Sequence, residues 1–249
     1  LIRTGVREGT ELFGDRQPFY LANLDKRFIF DFSYDGVLRS HEESLQRLGV
    51  DAVDILHIHD SDEHFTDAVL GAYQALNRLR EEGSIKAVSA GMNQWEMLSK
   101  FLDHGDFDCF LLAGRYTLLD QSSLAELLPK CLKHGTSIVI GGVYNSGILA
   151  NPVPGTTYNY VEAPQDLIDR ALAMEVICQR HGVPLKAAAL QFPLGHPAVA
   201  TVLTGVRSRE EWQENLWLFE LEIPRDLWLE LRKEGDRKST RLNSSHLVI

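Results

Sequence analysis

The sequence predicts an α/β fold of the (β/α)8 TIM-barrel type, incomplete, with about five of the eight strands present. Three observations lead there. From about residue 36 onward, helical and extended patterns alternate with little interruption, as in successive βα units. Five extended segments can be counted. The first of them, Asp54-Ile-Leu-His-Ile-His59, stops on a histidine at a strand tip, where parallel barrels keep their chemistry.

Residues 1–17, rich in Gly, Arg, Glu and Thr, read as loop and not as a barrel's first strand. In the strand over 55–59, alternation puts Ile55, His57 and His59 on one face and Leu56 and Ile58 on the other. Residues 67–82 then place Val69, Ala72, Tyr73, Leu76 and Leu79 at helical spacing, with Gly83 as a C-terminal cap. A strand over 85–90 follows. Helices over 94–103, 122–134 and 164–181 alternate with strands over 107–113, 137–140 and 199–203. Ser208 and Glu211 have capping-box spacing and start another helix, and 227–235 is the last amphipathic stretch. One partial barrel over 1–235 and a non-native or disordered tail over 236–249 result. Five strands leave two open sheet edges, so the opening strands are expected to be missing. On that reading the inner faces of Ile55, Val88, Leu111 and Ile138 lie open to water.

A chain of 249 residues, 44% hydrophobic and 24% charged, can bury a sizeable core. Its net charge of −10, without a basic run, argues against nucleic acid or an anionic membrane as partner. Cys109, Cys131 and Cys178 are odd in number and widely spaced, so they form neither a disulfide framework nor a Cys-x-x-Cys metal site, and a cytoplasmic location is expected. His57-x-His59, followed by Asp60, Asp62 and His64, has the spacing of a strand-borne metal chelate, as in barrel hydrolases. That chemistry needs further ligands at later strand tips, which offer Gly and Asn instead, so no metal is expected.

Phe30-Asp-Phe-Ser-Tyr-Asp-Gly-Val-Leu-Arg-Ser-His, the strand ending at His59, Ala90-Gly-Met-Asn-Gln-Trp, Leu111-Leu-Ala-Gly-Arg-Tyr-Thr-Leu-Leu-Asp-Gln and Ile140-Gly-Gly-Val-Tyr-Asn-Ser-Gly together resemble the aldo-keto reductases. Within that family they are similar to the D-threo-aldose 1-dehydrogenase branch. The resemblance implies NAD(P)-dependent oxidation of a fucose- or galactose-type aldose at C1 to the lactone, with a pyridoxal-type alcohol as the alternative substrate. A non-catalytic nucleotide-binding protein is the alternative outside enzymes.

The family's catalytic set is Asp, Tyr, Lys and His. The resemblance carries its histidine onto His59 as the group that orients the substrate oxygen, and finds no residue here for the other three. Tyr34 and Asp35 read instead as the start of a helix. For the cofactor, the resemblance points to Gly91, Met92 and Asn93 near the carboxamide and to Gly141, Gly142, Val143, Asn145 and Gly147 as a small-residue loop. It adds Gly205, Arg207 and Ser208 near the phosphates, and Glu214 and Asn215 near the adenine. Gly205 and Glu211 stand where NADP-preferring members carry cations, which favours NAD with NADP as the alternative. The partner is then a small-molecule sugar. The sequence does not fix an oligomeric state.

Overall fold

The computed structural model describes the backbone of residues 2–4, 12–13, 17–18 and 27–239 and the side chains of 30–235. Most of 1–17 and the tail beyond 239 lie outside the described residues. Where 1–17 is described it is extended and not loop: Ile2–Thr4 pairs antiparallel with Arg27–Ile29, and Leu12–Phe13 with Gln17–Pro18.

Five strands form one sheet in chain order: β1 (Ile55–His59), β2 (Ala87–Met92), β3 (Cys109–Ala113), β4 (Ser137–Gly141) and β5 (Val199–Leu203). They are the five segments that the sequence marks. Two compact units divide the chain, the first running to Ala90 with His104–Phe107 and the second holding Gly91–Asp103 and everything from Asp108.

In the first unit, α1 (Tyr34–Leu48) opens where Ser33 Oγ accepts from Gly36 N at 3.1 Å and closes on Gly49 at φ 67°. Tyr34 and Asp35 are indeed its first residues. After β1 the chain forms a helical turn, a π-helical segment over Ala68–Tyr73 and α2 (Gln74–Glu81). Gly71 sits in the π segment because a Cβ there would lie 2.3 Å from Phe32 O. The cap expected at Gly83 is present, at φ 76°. Tyr73 OH accepts from Asp106 N at 2.7 Å, and its ring packs on Phe107 at 5.0 Å.

In the second unit, β3 and β4 pair in parallel with Phe110 opposite Ile138 and Leu112 opposite Ile140, and β5 continues the sheet beside β4. Those four side chains are fully buried, whereas Leu111 and Val139 on the opposite face are partly open. The expectation of exposed inner faces is therefore corrected at Ile138, and at Val88, which is also fully buried. It holds for Ile55, which is 42% exposed. Helices α3 (Trp95–Phe101), α4 (Leu127–His134), α5 (Gln165–Arg180), α6 (Leu185–Gln191), α7 (Arg209–Glu220) and α8 (Arg225–Ser239) complete the unit. The sequence reading passes over α6, starts α4 five residues early, at Ser122, and ends the last helix at 235. Between β4 and α5, Thr157–Tyr158 and Val161–Glu162 form a hairpin whose turn residues Asn159 and Tyr160 both have positive φ, 50° and 67°. All three cysteines are buried. Burial pushes the Cys131 and Cys178 thiols up to about 12. Among the described residues no helix is long and apolar enough to cross a membrane.

Candidate functional site

The C-terminal ends of β2, β3 and β4 carry most of the residues marked for the cofactor, and the second unit knits them together. After β2, Asn93 Nδ2 donates to Ala113 O at 3.0 Å, joining the loop to the end of β3. Gly114 follows at φ 68°, its N–H donating to Gly141 O at 2.9 Å. Asn145 is 4% exposed and in the left-handed region at φ 47°. Its Nδ2 donates to Gly114 O at 3.2 Å, and its Oδ1 accepts from Thr117 Oγ1 at 2.6 Å. The Asn145 side chain thus holds the loop after β4 against the end of β3.

The small residues have a steric reason. A Cβ at Gly142 (φ 62°) would lie 3.2 Å from Gly114 N, so a side chain there would force two strand ends apart. Gly91 and Gly141 both face Leu111, each 3.4 Å from one of its carbons as judged from an added Cβ. Val143 is buried, and Gly147 turns the chain at φ 116°.

The second element is the start of α7. Ser208 Oγ accepts from Glu211 N at 3.2 Å, as the capping spacing predicts. The Glu211 carboxylate, however, accepts from Arg207: from its backbone N at 2.8 Å and from Nε and Nη2 at 3.1 and 2.7 Å. Arg207 is therefore paired, and hydrogen bonding to that guanidinium holds the Glu211 carboxyl below its ordinary range. Nothing lies within 4 Å of a Cβ added at Gly205. Glu214 receives Lys186 Nζ at 2.5 Å, while Asn215 accepts from Tyr144 OH at 3.2 Å and donates to Thr204 Oγ1 at 3.4 Å. Burial, reinforced by Glu214, pushes the Tyr144 phenol up to about 12.

In the first unit, His59 ends β1 with a side chain 63% exposed and Nδ1 3.5 Å from Asp60 Oδ2. Asp60 turns the chain at φ 46°, and burial raises its carboxyl above the ordinary range despite the opposing pull of His59. Local burial, then the charge of His59, lowers the His57 imidazole. A cavity of about 110 Å³ is lined by His57 and His59 together with Asp31, Ser40, His41 and Ser44 among others. Among the described residues no three His, Cys, Asp or Glu side chains are grouped as a metal ion would need.

Several participants escaped the sequence reading: Gly114, Thr117, Tyr144, Lys186, and the cluster of Arg115, Asp120, Tyr158 and Asn159. Gly114, Arg115, Thr117, Asp120 and Tyr144 stand inside segments quoted for the family resemblance, but the contacts of Gly114 and Thr117 with Asn145, of Arg115 with Asn159 and of Tyr144 with Asn215 join residues far apart in sequence, and no local pattern points to them.

The model of the aldo/keto reductase family matches residues 19–233. The chain is 46% identical over 223 residues to a pyridoxal 4-dehydrogenase of Microbacterium luteolum, covering 85% of this chain and 65% of that protein. It is 40% identical over 210 residues to a D-threo-aldose 1-dehydrogenase of a Pseudomonas species, covering 83% and 64%. The chain thus spans slightly under two thirds of these relatives' length. Among solved structures, an aldo-keto reductase of Bacillus halodurans in its holo form superposes with TM-score 0.67 at 23% identity, over 82% of this chain and 68% of that one. A glycerol dehydrogenase of Gluconobacter oxydans gives TM-score 0.67 at 16% identity, over 98% and 75%. At such identities the superpositions establish the shared fold. The chain belongs to the aldo/keto reductase family.

Proposed function

We propose that this chain provides the nicotinamide-binding loops and the substrate-orienting histidine of an aldose 1-dehydrogenase. The reaction converts a fucose- or galactose-type sugar to its lactone, with NAD as the preferred acceptor. The observation that carries the reading is the packing of Asn93, Gly114, Gly141, Gly142 and Asn145 at three adjacent strand ends, which leaves backbone and small side chains where a dinucleotide must approach closely.

A bound nicotinamide would supply the acceptor for the hydride of C1. The chain's own contribution is to position it: Asn93 for the carboxamide, the loop 141–147 and the α7 amides for the phosphates, and Glu214 with Asn215 for the adenine. The family resemblance gives His59 the role of hydrogen-bonding the substrate's C1 oxygen. Tyr116, Tyr144 and Tyr158 are all pushed up to about 12 by burial, which makes them poor proton acceptors near neutral pH, so none of them is assigned that role. NAD preference is supported by Glu211, which neutralises Arg207, and by the absence of a cation at Gly205. A cytoplasmic setting is in keeping with three buried thiols.

The 46% identity to a pyridoxal 4-dehydrogenase supports a second reading, a pyridoxal-type alcohol as substrate of the same site. Two measurements test the proposal. Quenching of tryptophan fluorescence should titrate with NAD⁺ at lower concentration than with NADP⁺. A fusion that adds the family's Asp, Tyr and Lys from a relative's N-terminal segment should form NADH with galactose or fucose, and substituting Asn for His59 should slow it by about 10²-fold or more. A folded fusion that reduces no nicotinamide on any aldose overturns the sugar reading, and NADH formation on pyridoxal alone installs the second.

A further inference from the structure

Arg115 is the first residue beyond Gly114 at the C-terminal end of β3, and its guanidinium uses only one of its three nitrogens. Nη1 donates to Gly114 O at 3.2 Å and to Asn159 Oδ1 at 3.0 Å, and lies 3.5 Å from Asp120 Oδ2. Nε and Nη2 make no hydrogen bond to any described residue, although only 21% of the side chain is exposed. Neither nitrogen is among the buried, unpartnered side-chain atoms, so this edge of N–H donors reaches solvent and is open to a ligand's oxygens.

The surroundings fix the group in place. Asp120 is held by Tyr158 OH at 2.9 Å and by Ser122 N and Oγ at 3.0 and 2.7 Å, so the counter-charge is not free to follow the arginine elsewhere. Asn93, which the proposed function gives to the nicotinamide carboxamide, donates to Ala113 O, and Arg115 Nη1 donates to the next carbonyl, Gly114 O, so the guanidinium is anchored one residue beyond the carboxamide contact. A substrate whose C1 faces that ring has its remaining carbons nearby.

We infer that Arg115 is a specificity-determining residue, whose Nε and Nη2 edge donates side by side to two adjacent hydroxyl oxygens of the sugar. This rests on the aldose reading and sharpens it, because the planar fork matches a pair of neighbouring oxygens and favours polyhydroxylated substrates over those with isolated hydroxyls. A purely structural Arg115 would instead only tie Asn159 of the hairpin to the end of β3.

The test uses the full chain saturated with NAD⁺ and titrated calorimetrically with galactose and with its 2-, 3- and 4-deoxy derivatives. At least one deoxy sugar should bind about tenfold more weakly than galactose to the unaltered chain, the scale of one lost hydrogen bond to a charged group. Arg115→Gln should erase that gap, weakening galactose to the level of the deoxy sugar while changing the NAD⁺ affinity less than about twofold, as expected of one coupled pair. If Arg115→Gln fails to fold, Arg115→Lys keeps the charge beside Asp120, loses the fork, and should shrink the gap to less than half. A gap that persists in the variants overturns the role of Arg115 and leaves the aldose reading standing. An unaltered chain that binds NAD⁺ but no sugar overturns both.

Discussion

Thr117 Oγ1 donates to Asn145 Oδ1 across 2.6 Å, between two buried residues 28 positions apart in sequence. Through that bond the segment after β3 dictates the conformation of the segment after β4. Asn tolerates the left-handed backbone, and its amide supplies the acceptor for Thr117 and the donor for Gly114 at once.

Replacing Asn145 by Ala should therefore remove two buried hydrogen bonds and place a Cβ-only residue in a left-handed conformation. The expected loss is about 2–4 kcal/mol, which at this chain length lowers the melting temperature by roughly 5–15 °C. Calorimetric melting checks this. A change under about 1 °C would show that the loop keeps its shape without the amide.

Cofactor preference should respond to Glu211. In the double variant Glu211→Arg with Gly205→Lys, Arg207 is released and two cations are added at a place with room for them. The ratio of NADP⁺ to NAD⁺ dissociation constants should fall by about tenfold or more, the effect of one or two charge-assisted bonds to a phosphate. An unchanged ratio would mean that the 2′-hydroxyl lies elsewhere.

At Gly71 the added methyl group of Ala would meet Phe32 O at 2.3 Å and Ser33 Cα at 3.0 Å. Both are backbone, so relief requires the π-helical segment to move away from the start of α1. Gly71→Ala should cost about 1–3 kcal/mol in denaturant unfolding. Gly49→Ala, where nothing lies within 4 Å but φ is 67°, should cost about 1 kcal/mol from backbone conformation alone.

The His57 imidazole titrates below its ordinary 6.5 because burial, then His59, disfavours the charged form. A lowered folded pKa means that the unfolded chain binds the proton more readily. The His57 contribution to stability is complete above pH 6.5 and is lost as pH falls from there through the folded value. The melting temperature should drop between about pH 7.5 and 5.5, and His57→Gln should flatten that drop. A parallel pH profile for the variant would place the sensitivity on other groups.

The sequence makes the five parallel strands legible because each is a short apolar run bounded by turn residues. It makes the start of α7 legible because a serine cap is a local signal. Which face of a strand is covered is not legible where the run is apolar throughout. Ile138-Val-Ile140 has no polar residue to break the symmetry, and only the pairing with Phe110 and Leu112 shows that Ile138 and Ile140 turn inward together. The π-helical segment depends on an approach to Phe32 O from the other end of the unit, and α6 is seven residues long, too short for periodicity to distinguish it from loop. In the candidate site, His59 and the glycines stand out locally. The partners that shape the site, Thr117 for Asn145 and Asn159 for Arg115, are found only by folding the chain.

The buried cysteines give the protein a built-in chemical clock. All three sulfurs lie in the second unit, and two of them are held as unreactive thiols by burial. An alkylating reagent at neutral pH can reach them only when β3, α4 or α5 opens, so labelling followed by mass spectrometry times the opening of that unit. The first unit carries no cysteine among its described residues and stays silent in the same experiment. Added cofactor that slows the labelling would register its binding without any turnover.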